Sequence, residues 1–234
     1  MINKVTFLIV LIFSVAEVNA MATKDTSFLA KEFLNGAYHV VFIDHNRQSA
    51  FYKQIQNLIP LDTVLYNKTL NELYSGGSKP NTKFQSIGID RDWYSLHQYK
   101  GKYFAYAPSE PYYNIWLRIT DSTVLLNYFN DGVLPAIIKN SKWENNNLVI
   151  ETISKYETDT IIKIHVINSA KGIAILEFPK RPNESKYSLI VSSRRIRNFP
   201  IIVNYCAEQR AAEWKFDDPN FINLLNKNAK FFNR

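Results

Sequence analysis

The segment that decides the fold reads YYNIWLRITDSTVLLNYF and runs from Tyr112 to Phe129. Over 112–120 its apolar and polar side chains alternate, and 123–129 is a second short run of mostly apolar residues behind the polar pair Asp121-Ser122. A period of two places alternate side chains on opposite faces of a β-strand, and a polar pair between two such runs is typical of a turn. We therefore predict two strands joined by a turn, within a larger antiparallel sheet.

The same rhythm of short strands and turns extends from residue 84 to residue 206. The predicted strands are Trp93–Tyr99, Lys102–Ala107, Tyr112–Thr120, Thr123–Phe129, Ala136–Trp143, Leu148–Ser154, Thr160–Ile167, Ile173–Phe178, Tyr187–Ser192 and Ile201–Tyr205. Strands spaced by about 8–12 residues, with no helix between them, indicate an antiparallel meander. The fold class is therefore mainly β (α+β), with a meander that closes as a barrel or stays an open sandwich.

Helical patterns flank the meander on both sides. In 21–83 we predict a helical turn from Phe28 to Leu34, a strand at Tyr38–Ile43, and helices at Arg47–Leu58 and Asp62–Tyr74. In 207–234 we predict one helix with Asp218 as its N-cap, and with Phe221, Leu224 and Leu225 docked on the sheet. We expect 21–234 to form a single domain with short N-terminal helices and one C-terminal helix.

The first 20 residues have the three parts of a secretory signal. Lys4 gives a positive start, Val5–Phe13 is an apolar run, and Val18-Asn19-Ala20 supplies small residues for cleavage. The apolar run is shorter than the ~20 residues that a membrane-spanning helix needs. The sequence thus predicts a cleavable signal peptide that ends near Ala20, and a secreted or periplasmic protein.

The cysteine content agrees with release from the cell. Met21, and not cysteine, would begin the mature chain, so no bacterial lipid anchor is expected. Cys206 is the single cysteine of the sequence, so no disulfide can form within the chain. We interpret Cys206 as a small apolar residue of the core, and stability must come from that core.

In its export signal, its up-and-down strands and its late helix, the chain resembles the lipocalin-like barrels. The Gly-x-Trp signature that opens many lipocalins is missing, because Arg91 precedes Asp92-Trp93. The resemblance therefore implies an architecture and carries no function with it.

The basic balance of the chain bears on its partners. With 28 Lys and Arg against 21 Asp and Glu, the net charge is +7. Such a charge attracts anionic surfaces, which outside the cytoplasm are lipids and polysaccharides rather than nucleic acid. The basic residues are mostly scattered, which is typical of a solvated surface. We expect a monomer that contacts a small amphipathic ligand, a glycan or an envelope protein, and no nucleic acid.

Two strands carry the side chains that we predict to bind a ligand. Tyr112, Asn114, Trp116 and Arg118 share one face of the first strand, and Lys163 and His165 share the polar face of another. Flat aromatic rings beside an amide and a guanidinium suit a sugar ring or an amphipathic anion. The alternative is that these residues line the wet face of an ordinary antiparallel sheet.

A basic cluster follows the predicted strand at 187–192. Arg194, Arg195 and Arg197 are candidates for anion binding, since guanidinium groups bind phosphate or carboxylate through paired donors. Alternation would place Arg195 and Arg197 on one face. The alternative is that these charges protect a strand end against aggregation.

Catalytic motifs are missing from the sequence. His39 and His45 lack metal-ligand spacing, and Gly76-Gly77-Ser78-Lys79 does not match a phosphate loop. We expect no cofactor, no metal and no enzymatic activity, and predict binding of a small amphipathic or glycan ligand. An envelope-associated interaction module is the alternative. A hydrolase of extracellular polymers, with a carboxylate pair from Asp90, Asp92 and Glu110, ranks third.

Overall fold

The structure is a computed structural model of the full chain. It describes residues 25–34, 37–56, 63–77, 84, 89–110, 116–127, 135–145, 147–155, 160–178, 186–206 and 211–232. The predicted signal peptide and the candidate ligand residues Tyr112 and Asn114 lie outside these ranges.

Strands dominate the described residues. In chain order the elements are β1 (Thr26–Leu34), β2 (Ala37–Asp44), α1 (Ala50–Gln56), α2 (Thr63–Ser75), β3 (Asp92–Ser95), β4 (His97–Tyr99), β5 (Lys102–Ala107), β6 (Trp116–Ile119), β7 (Thr123–Asn127), β8 (Pro135–Glu144), β9 (Asn147–Ile153), β10 (Thr160–Asn168), β11 (Ile173–Glu177), β12 (Tyr187–Ser192), β13 (Ile201–Cys206) and α3 (Phe221–Phe232). A 3-10 turn at Ile196–Asn198 joins β12 to β13.

Eight strands close into a barrel in the order β3-β6-β7-β8-β9-β10-β11-β12, with β12 paired to β3. Every neighbouring pair in the barrel is antiparallel. The barrel strands follow one another in chain order, except that β4 and β5, which lie between β3 and β6 in the chain, belong to another sheet. The prediction of a mainly β protein with a meander is confirmed, and of its two alternatives the closed barrel is the one observed.

A second sheet, which the sequence did not predict, has the order β1-β2-β13-β5-β4. Its pairs are antiparallel except for β13 with β5, which run parallel. The single strand predicted at Trp93–Tyr99 is wrong, because β3 belongs to the barrel and β4 to the second sheet. Between them lies Leu96, which is 3% exposed and packs in the core between the two sheets. Burial of this side chain marks the point where the chain crosses from one sheet to the other.

The helical turn predicted from Phe28 to Leu34 is also wrong, because this segment lies in β1. It pairs with β2 over its whole length, and the register shifts between Phe28 and Ala30. Such a bulge adds one residue to the strand and interrupts its period of two. The spacing of apolar residues therefore imitated a helical period.

The other predicted helices are present, with one change at the C-terminal helix. Helix α2 begins and ends one residue later than predicted, whereas α1 begins at Ala50, three residues later than predicted. In α3 the N-cap is Asn220 and not Asp218, since the Asn220 Oδ1 atom accepts a hydrogen bond of 2.9 Å from the Asn223 amide. Phe221 and Leu224 pack on the core as predicted.

The inside of the barrel is a packed apolar core. Its buried side chains come from all eight strands and from Phe84, and are Phe84, Trp93, Leu117, Ile119, Val124, Ile138, Leu148, Ile150, Ile162, Ile164, Ala174, Leu176 and Ile190. A second core lies between the barrel and the second sheet. It joins Tyr94, Ile175 and Leu189 of the barrel to Phe42 and Ile201 of the sheet. The barrel is therefore filled by side chains and covered by a sheet on the outer face of β11, β12 and β3.

We expect Ile164→Ala to lower the free energy of unfolding by about 2–5 kcal/mol, because it empties a fully buried position inside the barrel. Ile161→Ala on the same strand is the matched control, since Ile161 is 46% exposed. Its effect should stay within about 0.5 kcal/mol, as for most surface substitutions. Denaturant unfolding of both variants measures the difference, and equal losses would contradict the assignment of the two faces.

Candidate functional site

Two neighbouring strands of the barrel, β3 and β6, present a compact group of polar and aromatic side chains to the outside. In their register Asp92 lies opposite Arg118, and Tyr94 lies opposite Trp116. The alternate residues Trp93 and Leu117 point into the packed barrel. The four opposing residues therefore lie on the outer side of the barrel wall, with Tyr94 buried there, and we call this group the β3–β6 face.

The two aromatic residues of the β3–β6 face, Tyr94 and Trp116, pack on the buried groups beneath them. Tyr94 is 7% exposed, and its hydroxyl donates a hydrogen bond of 3.4 Å to the backbone carbonyl of Gln56 in α1. Burial, assisted by the negative charge of Asp92, raises the pKa of Tyr94 above its ordinary value, so the phenol stays neutral. Trp116 is half-buried and packs against the core between the barrel and the second sheet, to which Tyr94 belongs. Of the two rings, Trp116 is the one that reaches solvent.

The polar half of the face is an ion pair. The Arg118 Nε atom lies 2.6 Å from the Asp92 Oδ1 atom, and the two side chains are 47% and 34% exposed. An exposed pair of this kind contributes only about 0–1 kcal/mol to stability. Among the described residues, Asp92 is the only ion-pair partner of Arg118. Within the described part of the chain, the terminal Nη groups and the second Asp92 oxygen therefore remain available to a ligand.

Lys163 and His165 lie on a different part of the barrel from Trp116 and Arg118. They belong to the outer face of β10, which is four strands away from β6 in the barrel order. At about 4.8 Å per strand this separation is on the order of 20 Å along the sheet. In one direction around the barrel the intervening strands β3, β12 and β11 are covered by the second sheet, and in the other direction β7, β8 and β9 intervene. The structure therefore does not bring the two predicted groups together.

Lys163 and His165 instead surround a carboxylate that the sequence reasoning missed. The Glu177 carboxylate lies 2.6 Å from His165 Nε2, 2.7 Å from Lys186 Nζ and 3.7 Å from Lys163 Nζ. Burial raises the pKa of Glu177, but the hydrogen bonds from Lys186 and His165 and the charges of the two lysines outweigh it, so the pKa is lowered overall. Glu177 is the last residue of β11, after four apolar residues. It alternates in step with Ile173 and Ile175, which lie on the outer face, and this spacing could have predicted its position from the sequence.

The three predicted anion-binding arginines lie on the connection between β12 and β13. Arg194 Nε is 2.9 Å from Asp90 Oδ1, and Arg197 donates a hydrogen bond of 2.9 Å to the backbone carbonyl of Arg47. Arg195 packs its stem beside Gly172. Because residues 196–198 form a 3-10 turn, the strand alternation on which the predicted common face of Arg195 and Arg197 was based does not apply to this segment.

The acidic residues considered for hydrolysis each contact other polar groups. Asp90 accepts a hydrogen bond from the Ser192 hydroxyl and pairs with Arg194, while Asp92 pairs with Arg118. The amide of Glu110, beyond the end of β5, donates a hydrogen bond of 3.2 Å to Glu213 Oε1. Each of these residues therefore has partners of its own.

A second buried network lies on the other face of the second sheet. His39 Nδ1 is 2.8 Å from Glu32 Oε1, and His39 Nε2 is 2.6 Å from Asn204 Oδ1. Cys206 lies opposite His39 in the strand register and is half-buried, so it is less enclosed than the sequence indicated. The Asn204 amide continues the network to the Tyr106 hydroxyl at 3.1 Å and to Glu213 at 3.2 Å. These contacts fasten the segment after β13 onto the sheet.

No group of three or more His, Cys, Asp or Glu side chains in the described ranges is arranged to hold a metal ion. Within the same ranges, none of the helices combines the length and the apolar composition that are needed to cross a membrane.

We expect Glu177→Gln to destabilise the protein near neutral pH by about 1–2 kcal/mol, because charge-assisted hydrogen bonds are lost. Since the folded pKa of Glu177 is lowered, its contribution is present above the ordinary value of 4.5 and is lost as the pH falls through the folded pKa. The difference between variant and wild type should therefore shrink in acid. Denaturant unfolding across pH tests this, and a difference that persists at the lowest pH would contradict it. Glu72→Gln, which removes an exposed pair with Lys155, should have a smaller effect at every pH.

We expect Gly172→Ala to cost more stability than Gly101→Ala. Both glycines have a positive φ, +66° and +72°, which strains any other residue by about 1 kcal/mol or more. A Cβ at position 172 would also lie 2.7 Å from the Arg195 Cγ atom, whereas nothing lies within 4 Å of one at position 101. Melting temperatures of the two variants measure the added clash, and equal shifts would show that Arg195 moves aside without cost.

Comparison of the chain with protein-family models, with curated proteins and with solved structures gives no significant match. The contacts of the described residues therefore supply the argument for function.

Proposed function

We propose that this is an exported protein that binds a small amphipathic or glycan ligand on the β3–β6 face, without catalysing a reaction. The observation that carries the proposal is the position of Trp116. It reaches solvent two residues before Arg118 on the same face of β6, next to the Asp92–Arg118 pair. A sugar ring has an apolar face that packs on an aromatic ring and a rim of hydroxyl groups that hydrogen-bond. The two halves of the β3–β6 face match these two properties.

The packing beneath the face supports the proposal. Trp93 and Leu117 fix the strands from inside the barrel, and Tyr94 is held by α1. Binding groups on rigid elements lose little conformational freedom when a ligand arrives. Tyr112 and Asn114 precede Trp116 on the predicted strand and belong to the same proposal. Because the barrel interior is filled by large apolar side chains, a surface site is favoured over an internal cavity.

The sequence supports an extracytoplasmic place of action. The predicted signal at 1–20 and the single cysteine agree with a chain that folds outside the cytoplasm without disulfides. Glycans are abundant there, whereas nucleotides and most diffusible cofactors are not.

An envelope interaction module is the second candidate, and the edge strand β1 favours it. Among the described strands β1 pairs only with β2, which leaves one side of its backbone open to another strand. Phe28 and Phe33 on this edge are 37% and 51% exposed. Lys31 lies 3.4 Å from the Phe28 ring centroid, and charge at an edge protects against unspecific pairing. A protein that works through this edge would be retained by envelope protein and would show no glycan affinity.

We expect Trp116→Ala to weaken glycan binding about tenfold or more, because a stacked ring contributes on the order of 1–2 kcal/mol. Titration calorimetry against neutral and acidic oligosaccharides measures the dissociation constants. Trp143→Ala is the matched control, because Trp143 is 39% exposed on β8, away from the β3–β6 face, and its removal should leave affinity unchanged. The proposal fails if no oligosaccharide binds the wild type, or if the two variants lose affinity equally.

A further inference from the structure

We infer that the β3–β6 face selects neutral sugars with adjacent hydroxyl groups and discriminates against acidic sugars. The inference rests on the proposed function and names the ligand class for the same site. It comes from the pairing of Asp92 with Arg118, which places an acceptor and several donors side by side next to Trp116.

The hydrogen-bonding capacity of the pair fits two neighbouring hydroxyl groups. Arg118 uses Nε to contact Asp92 Oδ1, so its two Nη groups remain as donors. Asp92 Oδ2 remains as an acceptor among the described residues. A hydroxyl group both donates and accepts, so adjacent hydroxyls can donate to Asp92 and accept from Arg118 at once. A carboxylate can only accept, and it would leave Asp92 without a donor.

The charge of the pair opposes an acidic ligand. Arg118 already lies 2.6 Å from a carboxylate, so the pair has no net charge to attract an anion. A ligand carboxylate that reached Arg118 would lie close to Asp92, and like charges at such a distance repel. A neutral hydroxyl meets no such penalty.

Two further arginine–aspartate pairs lie next to the ends of β3, β6 and β12. Arg91 lies 2.6 Å from Asp121, and Arg194 lies 2.9 Å from Asp90. Each of these two arginines is therefore paired with an aspartate, as Arg118 is paired with Asp92.

The first experiment compares neutral oligosaccharides with uronate-containing oligosaccharides of equal length, by titration calorimetry against the full mature chain. We expect the best neutral oligosaccharide to bind at least tenfold more tightly than the best uronate oligosaccharide. Absence of binding to either set would overturn the proposed function. Equal or tighter binding of the uronates would overturn the present inference and leave the proposed function standing.

The second experiment assigns the selectivity to Asp92. Asp92→Asn keeps the size of the side chain and removes the negative charge, so we expect weaker binding of neutral sugars, tighter binding of uronates, and a preference reduced at least tenfold. Asp121→Asn is the matched control, since it removes one carboxylate from an exposed pair with Arg91 at the same 2.6 Å separation. The control should keep the wild-type preference. A similar change in both variants would contradict the role of Asp92, and denaturant midpoints check that both variants are folded.

Discussion

The structure depends on the burial of one barrel face under the second sheet. Ile173 and Ile175 of β11, Leu189 and Val191 of β12, and Tyr94 of β3 point outward from the barrel and are buried against this sheet. An outward apolar face of this size would be unstable in water without a cover, because each fully buried side chain contributes about 1.5–3 kcal/mol. The cover in turn decides which parts of the barrel surface remain for a ligand. The β3–β6 face lies at its margin, where β6 emerges from beneath the sheet.

The barrel was largely predictable from the sequence, because its signals are local. Alternation in 116–119 and the turn at Asp121-Ser122 place Leu117 and Ile119 inside the barrel, as predicted. The second sheet was not predictable in the same way. Its pairing of β13 with β2 and β5 joins distant parts of the chain, and no short pattern encodes such partners. The bulge in β1 hid a strand for a related reason, since it breaks the period on which the prediction relied.

The candidate site was predicted in part. The parity rule placed Trp116 and Arg118 on one face, but it gave no information on which other strand would supply their neighbours. The predicted strand began at Trp93, one residue after Asp92, and the sequence did not show that this strand pairs with β6, so Asp92 and Tyr94 were not recognised as neighbours of Arg118 and Trp116. Lys163 and His165 show the opposite failure. The prediction that both side chains share one face of their strand was correct. The sequence did not show the strand order, however, and the eight-stranded barrel places β10 four strands away from β6.

The assembly of the second sheet has a consequence for how the chain folds. The sheet takes β1 and β2 from the start of the described chain, β4 and β5 from its middle, and β13 from near its end. Strand β13 lies between the other two pairs, so the sheet is incomplete until residues 201–206 are in place. Contacts between residues so far apart in the chain slow folding, because loop closure precedes the gain from packing. The register of β2 and β5 on either side of β13 is therefore fixed only when this late segment joins them, which makes the second sheet a late step of folding.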